Sequence, residues 1–182
     1  MYLNPTQQQQ QQQQQQNAAP PPPRNANPGS PKIQEKYRQS LRNLNAVDDD
    51  EDKQQESITA LKRNMLVHWA LNPPAMTSLK SIDVLISSIH TCFPPAFGVQ
   101  GHAYFSKWKS IPVTDLRGAG NNMLDEKKLE KSVKKLKFFL HPDKLPRDLD
   151  AQQAFMCKML WDVIADADEE YRSKRDQLDW IR

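Results

Sequence analysis

Pro142 stands between two long runs whose apolar residues recur at helical spacing, and it limits the fold more than any other residue. A proline ring clashes with the carbonyl one turn back, supplies no amide hydrogen, and pushes the residue before it out of helical geometry. The run before it, EKKLEKSVKKLKFFL, is therefore predicted as a helix capped by Asp125 that stops at Leu140 or His141. Leu129, Val133, Leu136 and Leu140 fall on one side of it, and Lys127, Lys131, Lys134 and Lys135 on the other, with Phe138 among the lysines. The run after it, from about Asp150 through AQQAFMCKMLWDVIADADEEYRSKRDQL, repeats the period at Met156, Leu160, Ile164, Ala167 and Tyr171, with Val163 alongside. Two such helices joined by a short link stiffened by Pro146 form an antiparallel hairpin, with His141, Pro142 and Asp143 at its tip.

The remaining periodic segments are helical as well. Ser30-Pro31 is a helix start, followed by Ile33, Tyr37, Leu41 and Leu44 at helical spacing. After the acidic run Asp48 to Asp52, a second helix carries Ile58, Leu61, Met65 and Trp69 and is stopped by Asn72-Pro73-Pro74. These two helices have three placements open to them: against each other, onto the main domain, or free as a handle for a partner. LKSIDVLISSIHTCF is predicted as a third helix, with Leu79, Ile82, Ile86 and Ile89 on one face and Leu85 at its edge, ended by Pro94-Pro95. The stretch from Ala96 to Met123 has no sustained period and reads as a long loop that packs through Tyr104, Phe105 and Trp108. Ahead of all this lie the glutamine run Gln7 to Gln16 and NAAPPPPRNANPGSP, whose composition predicts a disordered tail. The expected fold class is all-α, with three parts: a tail over residues 1–29, two amphipathic helices with an acidic linker over 30–72, and the main domain over 76–182.

Charge and cysteine usage exclude several functions. A net charge of +3 over 182 residues is too small to imply a nucleic-acid or membrane partner, so the position of charge matters more than its total. Between Lys127 and Lys137 there are six lysines and one glutamate. That run has no arginine and the chain no finger or RNP-type motif, so nucleic acid is not an expected partner. Cys92 and Cys157 lack C-x-x-C spacing and read as buried, reduced thiols. No apolar run is long enough to span a bilayer, and MYLNPTQQQQ lacks the features of a signal peptide, so a soluble cytoplasmic protein is expected. His90, Cys92, His102, His141 and Cys157 show no zinc-ligand spacing. No nucleophile motif or glycine-rich phosphate loop is present, so neither a metal, a cofactor nor an enzymatic activity is expected.

His141, Pro142 and Asp143, set between a basic amphipathic helix and a second long one, resemble the signature of the J-domain family, which carries this tripeptide between its helices II and III. Ordinary J-domains open with a Y-x-x-L-G type helix, which this chain lacks; what stands there is similar to the auxilin-type J-domain. VLISSIHT (Val84 to Thr91), WKSIPVTDL (Trp108 to Leu116) and HPDK (His141 to Lys144) follow one another in the order that type has them, with a longer loop before Trp108. Phe155-Met156 and IADADEEY (Ile164 to Tyr171) resemble its helix III pattern L-N-D-A-W-x-E-F, with Ala165 at the asparagine and Asp168 at the tryptophan. The likeness runs from Leu79 to Tyr171.

The resemblance implies a co-chaperone that performs no chemistry itself but docks on an ATP-loaded DnaK-type heat-shock chaperone and accelerates its ATP hydrolysis. His141, Pro142 and Asp143 would be the trigger, and Lys134 and Lys135 stand where helix II of the family carries its basic pair. Lys127 and Lys131 extend the charge that would steer the domain to an acidic surface. Phe138 and Lys144 complete the expected contact set. The auxilin likeness further implies disassembly of a protein complex such as a clathrin coat, although the chain has no D-L-L clathrin box. The competing reading is a non-enzymatic scaffold whose J-like part is inactive.

Overall fold

The computed structural model describes residues 30–45, 53–118 and 123–180. The predicted tail over 1–29 and the acidic run Asp48 to Asp52 lie outside the described residues. Among those described, the architecture is helical without strands; the two isolated bridges join Leu71 to Leu79 and Arg117 to Leu124.

Helix α1 (Pro31–Asn45) begins at the Ser30-Pro31 start and buries Ile33 and Tyr37. Helix α2 (Lys53–Asn64) runs on into a π-helical segment, Met65–Ala70, before Leu71 turns extended. Asn72 then organises the connection: its side-chain amide donates to the Leu79 carbonyl at 2.8 Å and its backbone N–H to the Ser78 carbonyl at 2.9 Å. Leu79 is thereby held in a bridge opposite Leu71, so the third helix starts three residues later than its apolar period predicts. That helix, α3 (Ile82–Ser88), continues as a 3-10 turn through Cys92. The indole of Trp69 donates to the Ser88 hydroxyl at 3.1 Å, pinning the π-helical segment to α3.

The long loop contains three short 3-10 turns, Ala96–Gly98, Phe105–Lys107 and Val113–Leu116. Val99, Phe105, Trp108 and Leu116 are buried within it. Helix α4 (Glu126–Phe139) is capped by the Asp125 carboxylate, which accepts from the Lys128 N–H at 3.1 Å. Helix α5 (Ala151–Asp179) opens on a reciprocal cap between Asp150 and Gln153, and the Gln153 amide also donates to the Gln100 carbonyl at 2.7 Å, tying the loop to the start of α5.

The pairing of α4 with α5 is antiparallel, because partners on α5 fall in number as those on α4 rise. Glu126 pairs with Arg175, Lys137 with Asp168 at 3.0 Å, and the His141 ring meets Trp161 at 5.6 Å between centroids. The helices of residues 30–72 extend this core. Leu61, Met65, Leu66 and Trp69 join one continuous buried cluster with Leu85, Ile86 and Ile89 of α3, Leu136 and Leu140 at the end of α4, and Met156, Leu160 and Ile164 of α5.

Candidate functional site

The tip of the α4–α5 hairpin is made by the proline stop. Leu140 closes α4 by donating its N–H to the Leu136 carbonyl at 2.9 Å, and His141 is extended at φ −63°, ψ 132°, the geometry a following proline imposes. Pro142–Lys144 then forms a single 3-10 turn. Its backbone closes on His141, whose carbonyl accepts from Lys144 N–H at 2.8 Å and Leu145 N–H at 3.2 Å.

The histidine ring serves the same turn. Its Nδ1 accepts from the Asp143 N–H at 3.2 Å, which places the ring proton of the neutral form on Nε2. The ring is half-exposed and stands edge-on to the Trp161 indole on α5. With the imidazole and backbone engaged in holding the turn, the Asp143 carboxylate projects into solvent; 84% of its side chain is exposed. An exposed carboxylate on a fixed turn, here with the His141 Nδ1 at 3.7 Å, can accept a bidentate, charge-assisted pair from an arginine of another molecule.

The lysines divide by role. Lys137 turns toward α5, where it and Arg172 neutralise the buried Asp168 carboxylate at 3.0 and 3.2 Å. Asp168 thus joins α4 to α5 by an ion pair. Lys128 donates to the Arg117 carbonyl at 2.8 Å and belongs to the loop attachment. Lys127, Lys131, Lys134 and Lys135 are exposed on α4. Lys134 pairs with Glu130 at 2.9 Å, and its hydrogen bond and charge hold the Glu130 carboxyl below its ordinary range. Lys135 sits over the Trp108 ring at 5.2 Å. Phe138 is 63% exposed with the Lys144 ammonium 5.4 Å over its ring, so the turn and the lysine face are continuous at that point. Lys127 stands fourteen residues before His141, about 20 Å along the helix. The predicted set is accordingly a stripe leading to the turn, not a compact pocket.

Behind the stripe, aromatic rings fix the end of α4. Phe139 stacks on Tyr104 at 4.7 Å and contacts Phe93 and Trp108 at 5.7 and 5.1 Å, while the Tyr104 hydroxyl donates to the Phe139 carbonyl at 2.6 Å. Sequence reasoning assigned the loop aromatics to packing but did not single out Phe139 as their seat or Trp161 as the support of His141. Trp161 follows Leu160 at the edge of the α5 core stripe, and that flanking position was the available signal.

The other histidines and cysteines are dispersed. His102 meets Asp148 at 3.4 Å and accepts from the Tyr104 N–H, and among the described residues no three His, Cys, Asp or Glu side chains are arranged to hold a metal ion. Burial pushes the Cys92 and Cys157 thiols up to about 12, so both are protonated at neutral pH and unsuited to nucleophilic attack. No helix among the described residues is long and apolar enough to cross a membrane. Compared with protein-family models, curated proteins and solved structures, the chain gives no match.

Proposed function

We propose that the chain is a J-domain co-chaperone of the auxilin type, which docks on a DnaK-type heat-shock chaperone and stimulates its ATP hydrolysis. The observation that carries this reading is the fixed turn at the hairpin tip, which uses His141 and Pro142 to present an exposed Asp143 carboxylate. Lys127, Lys131, Lys134 and Lys135 supply a cationic approach to an acidic partner, and Phe138 and Lys144 provide contact beside the turn. The site works through a second protein and therefore needs no nucleophile or cofactor of its own. Disassembly of a protein complex, of the kind clathrin uncoating represents, is the downstream process the auxilin likeness suggests.

Single-turnover ATP hydrolysis by a cytosolic DnaK-type chaperone tests the proposal. The native chain is expected to accelerate hydrolysis, and His141→Gln to abolish the acceleration while retaining native helicity and unfolding midpoint. A folded native chain without effect would reject the function, and equal effects of both forms would reject the trigger.

A further inference from the structure

Beside the turn the surface holds a groove of about 620 Å³ walled by Leu140, Pro142, Leu145, Leu149 and Trp161, with Arg147, Lys158 and Asp162 as its charged lining. Lys158 and Asp162 pair with each other at 3.1 Å. Arg147 is exposed and has no ion pair among the described residues, so the groove is an apolar trough with one cation in excess. Its complement is an apolar side chain carried on a segment of negative charge.

The far end of α5 is such a segment. Trp180, at its C-cap, is 92% exposed. Residues 175–180 read RDQLDW, two aspartates against one arginine, and Arg175 is already engaged by Glu126 and Asp176. The carbonyls of the last helical turn add partial negative charge to the same end. Trp161 and Trp180 lie nineteen residues apart along one continuous helix, about 28 Å, so a chain cannot place Trp180 in its own groove. The groove of a second copy has no such restriction.

We propose that copies of this chain associate head to tail, with Trp180 of one seated against Trp161 and the leucines in the groove of the next, and Arg147 facing the acidic end of the incoming helix. Groove and helix end are different surfaces, so the contact is heterologous and a pair leaves one of each free to extend the assembly. A single indole buries about 150–250 Å². That is far below the area of a stable interface, so the association is weak and reversible. It needs no chaperone and stands independently of the co-chaperone reading.

Sedimentation velocity of the full chain tests the contact. The mean sedimentation coefficient is expected to rise between about 10 µM and about 1 mM. Over the same series the Trp161 indole N–H resonance should shift, while that of the buried Trp108 indole stays in place. Trp180→Ser removes the inserted ring, and Arg147→Glu with Ala154→Glu reverses the charge of the groove and narrows it; all three positions are exposed, so native helicity is expected. Each variant alone should remain monomeric. Their equimolar mixture should associate again, since one supplies the groove and the other the helix end, and should stop at the dimer. A native chain that stays monomeric throughout, or whose Trp161 resonance does not move, would overturn the proposal. So would association that survives in either variant alone, as contact through the glutamine run would, or a mixture that fails to associate or grows past the dimer.

Discussion

Phe138 and Leu136 are two residues apart on α4 and answer to different constraints. Leu136 is fully buried, whereas Phe138 is 63% exposed among lysines. Truncating the first leaves a cavity in the shared core, so Leu136→Ala is expected to cost about 2–5 kcal/mol in urea unfolding. Phe138→Ser removes almost no buried contact and should shift stability by less than about 0.5 kcal/mol. If the exposed ring meets the chaperone, the same replacement raises the concentration for half-maximal ATPase stimulation several-fold. A Phe138→Ser chain with native stability and native stimulation would show the ring to be a bystander. His141 stands apart from both residues: its ring acts on the loop backbone and on Trp161, and its replacement is read in the maximal rate.

Helix α1 is held by a small number of groups that mutation can address. The Asp166 carboxylate accepts from the Tyr37 hydroxyl at 2.7 Å and pairs with Lys36, and Ile33 and Tyr37 are buried beneath the helix. Asp166→Ala leaves a buried hydroxyl without its acceptor, a loss of about 1–3 kcal/mol. Hydrogen exchange is expected to accelerate through α1 while the amides of α4 and α5 keep their protection. Equal acceleration in all three would mean that α1 is no separable unit.

How far the sequence reaches can be judged at the same elements. The apolar periods placed α4 and α5 and the proline placed their junction, because each signal lies within one turn of the residue it governs. The period of the third helix included Leu79, which the fold assigns to a bridge: Asn72 captures the Leu79 carbonyl through a contact seven residues apart that no helical wheel contains. The placement of α1 on α5 depends on Tyr37 and Asp166, separated by 129 residues, and was invisible to local pattern. The lysine stripe was legible as a group, but the withdrawal of Lys137 from it required Asp168 on the facing helix.

Because all five helices feed one buried cluster, a change at any of its titrating groups is felt by the whole domain. Burial pushes the Cys92 and Cys157 thiols from 9.0 up to about 12, with the Thr91 hydroxyl and Lys80 pulling Cys92 slightly back. Tyr37 is raised as well, first by burial and then by the charge of Asp166. An unfolded thiol sheds its proton near pH 9 while the folded one keeps it to about 12, so above pH 9 the unfolded state binds fewer protons and stability falls as pH rises. Each unit of pH in that window removes about 1.4 kcal/mol per thiol, and the pair together lowers stability by several kcal/mol before pH 11. The urea midpoint is expected to hold level up to about pH 8.5 and then to decline steadily, with Tyr37 steepening the decline above about pH 10. Cys92→Ala combined with Cys157→Ala should flatten the first part of the decline and leave the part due to Tyr37. A midpoint in the native chain that stays level to pH 11 would mean that water reaches the thiols, and that the helices of residues 30–72 do not seal the core around them.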